Sequence, residues 1–106
     1  MKIRLHYIAI FGLAASIAVP GSAQSAGADV FKSKCAPCHG VDGLAGTPTG
    51  KMLKAASFKD PAIIKTPDGE LIAIVKSGKN KMPSFQGKLT DDQIKAAVAY
   101  IRTLQK

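Results

Sequence analysis

The chain has 106 residues and a formal net charge of +8, from 15 lysines and arginines against 7 aspartates and glutamates. This length allows one domain at most, and two cysteines cannot build the disulfide framework that stabilises many small exported domains. The basic residues are spread along the chain without interleaved aromatic side chains. This pattern argues against nucleic-acid binding and favours acidic protein partners.

Residues 1–23 have the pattern of a secretory signal peptide. Lys2 and Arg4 precede an uncharged run over residues 8–19, and small residues follow it. Because the run is shorter than the roughly 20 residues that cross a bilayer, we predict cleavage and export to the periplasm rather than a membrane anchor. The remaining residues 24–106 form a single domain, which is too small to bury a generous core without a bound group.

The first half of the mature chain predicts short elements. After an uninformative lead-in, a brief helix begins at Asp29 and ends near His39. The glycine-rich stretch "GVDGLAGTPTG" has no hydrophobic periodicity and is predicted to be a loop that wraps against a bulky group. A short helix with Met52 and Phe58 on one face is predicted next.

Two helices with clearer start and stop signals are predicted in the second half. In "TPDGELIAIVKSG", Thr66 is the expected N-cap and Gly78 stands just past the end. In the last helix, Thr90 and Gln93 form a capping box. An apolar stripe follows at helical spacing: Ile94, Ala97, Val98, Ile101 and Leu104. No stretch alternates well enough to predict a strand, so the predicted fold class is all-α.

The chain's only cysteines, Cys35 and Cys38, stand directly before His39 in "KSKCAPCHGVDG". A thioredoxin-like disulfide switch needs strands that alternate with helices, which this chain does not predict. A zinc site needs four ligands, and His39 is the only histidine left after signal-peptide cleavage. Covalent haem attachment uses all three residues, because C-x-x-C-H is the attachment signature of c-type haem. The two thiols would become thioethers, and the histidine would ligate the iron.

The second axial ligand is predicted from the two methionines outside the signal peptide. Met82 lies in "KNKMPSF", between a helix stop and the last helix, where Pro83 stiffens the loop that presents its sulfur. Met52 stands beside Leu53 and is better explained as a packing residue. We therefore predict iron ligation by His39 and Met82, with Met52 or an open position as alternatives.

Four motifs resemble the small class I c-type cytochromes of bacteria, in order over nearly the whole mature chain: "CAPCHGVDGLAG", "GTPTGKML", "KMPSF" and "AVAYIRTLQ". The resemblance implies the cytochrome c fold, with three to five short helices around one covalent haem and crossed terminal helices. It implies that Gly27 and Phe31 meet Tyr100, and that the carbonyl of Pro48 accepts the free N–H of His39. Tryptophan, which many relatives place near a haem propionate, is absent.

The resemblance and the filled iron positions predict a carrier that moves single electrons between larger redox proteins, and not an enzyme. Lys79 and Lys81 are predicted to form part of a basic collar that attracts acidic donors and acceptors, such as a membrane oxidoreductase complex or a dehydrogenase. We expect a monomer that is not embedded in the membrane. The alternatives are a haem enzyme or sensor with an open iron position, and a cytochrome subunit dedicated to one dehydrogenase.

Overall fold

The computed structural model describes Gly12 and residues 21–106, so the predicted signal peptide lies almost wholly outside the described residues. Six α-helices follow one another in the range 21–106: α1 (Gly21–Val30), α2 (Ala36–His39), α3 (Pro48–Leu53), α4 (Pro61–Lys65), α5 (Asp68–Ser77) and α6 (Asp91–Leu104). A π-helical turn, Phe31–Cys35, joins α1 to α2. Within that range the only strand-like pairings are two isolated bridges, so the predicted all-α class is confirmed. None of the described helices has the length and apolar character that a membrane span requires.

The first helix is longer than predicted. It spans Gly21–Val30, whereas the sequence predicted a start at Asp29. The small residues of α1 lack an apolar stripe, and packing against α6 stabilises them as a helix. Gly27 lies at the contact, where an added Cβ would be 2.8 Å from the backbone carbonyl carbon of Ala96. Only glycine lets the two helices approach this closely.

The π-helical turn leads into the cysteine motif. The backbone N–H of Ala36 donates to the carbonyl of Phe31, one residue further back than in an α-helix. Both Phe31 and Cys35 are buried on this turn. Pro37 then stands in the first turn of α2, where its missing N–H costs little. The helical segment ends at His39, as predicted.

Aromatic side chains centre the first of two apolar clusters. Phe31 is fully buried, with its ring centroid 5.2 Å from that of Tyr100 and 6.0 Å from that of Phe58. Ile101 of α6 closes the cluster together with Cys35. The predicted meeting of the first and last helices through Gly27, Phe31 and Tyr100 is therefore confirmed.

The second cluster lies between α5 and α6. Its buried members are Leu71, Val75, Ile94 and Val98. The capping box of α6 is present, since the Gln93 N–H donates to Thr90 Oγ1 at 3.1 Å and the Thr90 N–H donates to Gln93 Oε1 at 2.8 Å. Ile63 of α4 packs against both clusters, so α4 bridges the two parts of the core.

Two predicted helix boundaries differ from the structure. Phe58 is not part of α3, because Lys54 adopts a left-handed backbone with φ 56° and ends that helix after Leu53. Phe58 instead enters the first cluster from the following connection. Thr66 does not cap α5 with its side chain, because its hydroxyl donates to the Ala62 carbonyl at 2.7 Å in the helix before.

Candidate cofactor site

A cavity of about 320 Å³ lies beside the cysteine motif. All four predicted site residues line it: Cys35, Cys38, His39 and Met82. Apolar side chains from three other helices and from the loop of Met82 complete much of the wall: Leu53, Ile63, Ile74 and Phe85. An apolar cavity of this size with a few convergent polar groups is typical of a ligand or cofactor site.

The two cysteines are free thiols on one wall of this cavity. Cys35 is buried and Cys38 is half-buried. Burial, with a smaller contribution from the charge of the neighbouring Cys38, raises the pKa of the Cys35 thiol to about 11. Cys35 is therefore a neutral thiol near pH 7, held in apolar surroundings with its sulfur not committed to a disulfide.

His39 lines the cavity, and two contacts orient its ring. Its Nδ1 lies 2.9 Å from the carbonyl oxygen of Ala56, and its ring stacks on Phe58 with centroids 4.6 Å apart. A carbonyl can only accept, so Nδ1 is the donor, and in the neutral imidazole Nε2 is then the nitrogen with the lone pair that a metal needs. The backbone and the aromatic ring together orient the imidazole.

The prediction that Pro48 supplies the acceptor for His39 is wrong. Ala56 supplies it, from the connection after α3. Pro48 is the first residue of α3, so its carbonyl points along the helix axis toward the following turn. No sequence pattern marks the Ala56 carbonyl, because every residue carries one and only the fold selects it.

Met82 lies in a loop that is hydrogen-bonded to the end of α5. The N–H of Phe85 donates to the Val75 carbonyl at 3.1 Å, and the N–H of Gln86 donates to the Lys76 carbonyl at 3.1 Å. Ser84 Oγ also donates to the Lys76 carbonyl, at 2.6 Å. The last carbonyls of a helix have no partner inside it. The loop therefore caps α5 and gains a fixed position from doing so.

A tight turn places Met82 within this loop. Lys79 and Met82 exchange two backbone hydrogen bonds, of 3.1 and 2.9 Å, and Asn80 between them adopts φ 54°. Gly78 has φ 77°, and a Cβ there would lie 2.8 Å from the Met82 carbonyl oxygen. Glycine is needed here because it tolerates the positive φ and leaves room for the Met82 backbone, which lies directly over it.

The two methionines considered as ligands lie in different surroundings. Met82 is half-buried and lines the cavity. Met52 is 70% exposed and is not among the residues that line the cavity. The fold thus brings Met82 to the same cavity as His39 and leaves Met52 at the surface, where it is not the packing residue that the sequence predicted.

Four exposed lysines line the cavity: Lys34, Lys54, Lys79 and Lys81. No aspartate or glutamate of the described residues is among its lining. The sequence predicted the contribution of Lys79 and Lys81 to this basic rim and missed the other two. Lys34 could have been predicted at the rim, because it stands directly before Cys35. Lys54 could not, because it reaches the rim only through the end of α3.

Comparison with known proteins identifies relatives along most of the chain. Residues 22–101 match the family described as cytochrome c oxidase, cbb3-type, subunit III. Cytochrome c6 of Leptolyngbya boryana is 35% identical over 82 residues, covering 73% of this chain and 87% of the relative. Cytochrome c6 of Thermosynechococcus vestitus is 32% identical over 105 residues, covering 95% and 91%. A solved structure, the KustC0563 c-type cytochrome, matches with a TM-score of 0.69 and 35% identity, over 76% of this chain and 98% of that chain.

The residues at the cavity fit the cofactor that these relatives imply. Two free thiols, an imidazole whose Nδ1 is hydrogen-bonded to a backbone carbonyl and a thioether line one largely apolar space. Thiols anchor c-type haem covalently, and imidazole and thioether are established ligands of its iron. The matched range, residues 22–101, includes all four of these residues, and the relatives are themselves c-type cytochromes. The chain therefore belongs to the class I c-type cytochromes, electron carriers that hold one covalent haem c.

Proposed function

We propose that this cytochrome is an exported carrier with its haem anchored by Cys35 and Cys38 and its iron ligated by His39 and Met82. The supporting observation is that these four side chains, from two separate parts of the chain, line one cavity. Bound haem iron supplies a one-electron couple between the ferric and ferrous states. The protein takes one electron from a reduced donor protein and passes it to an oxidised acceptor, with no transfer of atoms.

The surroundings of His39 suit an axial ligand. The hydrogen bond from Nδ1 to the Ala56 carbonyl fixes the tautomer and makes Nε2 a better donor to iron. Stacking on Phe58 restricts rotation of the ring. Both interactions are in place before any electron arrives, so a change of oxidation state needs little rearrangement on this side.

The Met82 loop suits the opposite ligand. Its capping bonds to α5 hold the thioether at the cavity, and a sulfur ligand opposite histidine raises the reduction potential. A haem iron held by both His39 and Met82 would keep no open position for oxygen or peroxide. This arrangement favours an electron carrier over a haem peroxidase or a gas sensor.

The basic rim supports acidic redox proteins as donor and acceptor. Lys34, Lys54, Lys79 and Lys81 surround the cavity with positive charge that no acidic side chain of its lining offsets. Such a field speeds encounter with acidic surfaces and contributes little to lasting affinity, because exposed ion pairs are weak. A carrier needs this combination, since it must leave each partner after one electron. We propose that it does so as a monomer.

Export to the periplasm is supported by the pattern of residues 1–23. Cleavage after Ala23 would start the mature protein, residues 24–106, at Gln24 and would leave most of α1, including Gly27, in place. N-terminal sequencing of the protein recovered from the periplasm tests this. A first residue at or near Gln24 is expected, and an intact Met1 in the membrane fraction would contradict it.

The optical spectrum of the purified protein tests the ligand assignment. We expect the ferric form to show a sulfur-to-iron charge-transfer band, which Met82→Ala abolishes and the exposed control Met52→Ala leaves unchanged. An unaltered band in Met82→Ala would exclude Met82 as a ligand. A wild-type protein that lacks the band and binds cyanide readily would have an open iron position, and the enzyme or sensor reading would replace the carrier.

A second candidate is a cytochrome subunit dedicated to one larger redox complex. Large apolar side chains that are partly or mostly exposed support it, and they include Val41 at 70%, Leu44 at 48% and Met52 at 70%. The matched family description also names an oxidase subunit. Gel filtration of an untreated extract separates the two candidates. A carrier elutes at the mass of one chain, whereas a dedicated subunit elutes with its complex.

A further inference from the structure

Arg102 of α6 joins three helices through one side chain. Its Nε donates to Asp68 Oδ1 at 2.7 Å, at the start of α5. Its two terminal nitrogens donate to the carbonyls of Ile63, at 3.3 Å, Ile64, at 3.4 Å, and Thr66, at the end of α4. The side chain is only 23% exposed. The guanidinium thus donates to carbonyls at the end of α4 and holds the corner between α4 and α5 against α6.

The elements held by Arg102 form part of the cavity wall. Ile63 lines the cavity and packs against both apolar clusters. Ile74 of α5 also lines the cavity, and the last carbonyls of α5 hold the loop that carries Met82. Arg102 is not among the cavity-lining residues. Any influence of its contacts on the shape of the site therefore passes through α4 and α5.

We propose that Arg102 is a positioning residue for the haem site. By holding the α4–α5 corner against α6, it keeps the Ile63 wall and the Met82 loop closed on the cofactor, and so sets the reduction potential and the access of water and foreign ligands. This inference rests on the proposed carrier function. The apolar surroundings of a metal site control its dielectric and its solvent access, and these in turn control its potential.

Lysine cannot replace this arginine. The planar guanidinium serves one carboxylate and three carbonyls at the same time, whereas an ammonium group is a single compact charge on a flexible stem. Arg102→Lys keeps the charge and loses the geometry. This variant therefore distinguishes two effects of Arg102 on the reduction potential: the positioning of α4 and α5, and the charge of a nearby cation.

The test compares purified haem-loaded Arg102→Lys with Thr90→Ala. Thr90 caps the same helix through a bond from the Gln93 N–H to its hydroxyl, and it lies in neither apolar cluster nor the cavity wall. Its truncation therefore lowers stability without removing a bond to α4 or a contact of the site. Thermal unfolding, the midpoint potential and the rate of imidazole binding to the ferric form are measured for both. We expect Arg102→Lys to lower the potential and to speed imidazole binding by about tenfold. Thr90→Ala should lower stability and leave both the potential and the rate of imidazole binding near wild type.

Two outcomes would overturn the inference. Equal changes in both variants would mean that Arg102 only stabilises the fold. A wild-type potential in Arg102→Lys, with a lowered potential in Arg102→Gln, would mean that its charge alone matters. If Arg102→Lys does not fold, Asp68→Asn is measured instead, because it weakens the bond between Asp68 and Arg102. An unchanged potential in that variant would contradict the positioning role in the same way. The spectra of wild type and Met82→Ala test the ligand assignment separately. The effect of Arg102 on the Ile63 wall can be tested whichever ligand those spectra identify.

Discussion

On the His39 side of the cavity a fully buried aromatic core supports the ligand, whereas on the Met82 side a half-buried loop carries it. His39 stacks on Phe58, which packs on the fully buried Phe31. Met82 belongs to a loop of exposed and half-buried residues, which the amides of Phe85 and Gln86 tie to α5 and which reaches only the edge of the second cluster. Side-chain packing resists local opening more than a few bonds near solvent do. The methionine side is therefore expected to open first.

The largest effect is expected from removing the ligand on the packed side. His39→Ala takes away both the iron ligand and the stacking partner of Phe58, so we expect little or no stable haem-loaded protein. Met82→Ala should still hold covalent haem, because both thiols and His39 remain. Haem staining of denatured protein and optical spectra measure this contrast. Equal haem content in the two variants would show that the His39 side and the Met82 side contribute equally to holding the haem.

Truncating the aromatic centre comes next. Phe31→Ala should lower the free energy of unfolding by about 3–5 kcal/mol, because it leaves a cavity among Phe58, Tyr100 and Cys35. Chemical denaturation of the haem-loaded protein measures the loss. Phe85→Ala, a half-buried residue on the methionine side, is the comparison, and we expect a smaller loss there. The reverse order would contradict the view that packing on the His39 side dominates stability.

A methyl group at the contact of the first and last helices should cost less. In Gly27→Ala the new Cβ meets the Ala96 backbone, and forcing the helices apart should lower the free energy of unfolding by about 1–3 kcal/mol. Gly46→Ala is the matched control, because a Cβ there has no atom within 4 Å. Denaturation midpoints of the two variants measure the difference. Equal midpoints would show that the helices adjust freely.

The smallest effect is expected from one hydrogen bond of the Met82 loop. Ser84→Ala removes the donor to the Lys76 carbonyl and should cost about 1 kcal/mol. We expect the cost to appear as faster hydrogen exchange at the amides of Phe85 and Gln86, with the rest of the chain unchanged. Ser33→Ala removes a similar bond to the Asp29 carbonyl on the packed side and serves as the control. Unchanged exchange in Ser84→Ala would mean that the amide bonds alone hold the loop.

Features that depend on neighbouring residues were predictable from the sequence. The capping box of Thr90 and Gln93 was predicted correctly, because its partners are three residues apart. The apolar stripe of α6 was also predicted correctly, because helical spacing alone places Ile94 and Val98 on the buried face. The clustering of Cys35, Cys38 and His39 followed in the same way from one helical turn.

The features that were missed depend on residues far apart in the chain. The Ala56 carbonyl reaches His39 from seventeen positions away. The helical start of α1 and the burial of Phe58 both depend on packing that local propensity does not encode. Nothing local in the sequence marks Arg102, and only the fold brings the end of α4 beneath it.

By itself the sequence determined the all-α class, the covalent cofactor chemistry of the C-x-x-C-H motif and the family, because each depends on residue types at short, regular spacing. The tertiary structure decided which carbonyl orients His39, which methionine lies at the cavity and which lysines form its rim. It also placed Arg102 at the corner of α4 and α5. Those choices depend on how distant segments approach one another, and that approach is set by packing over the whole domain.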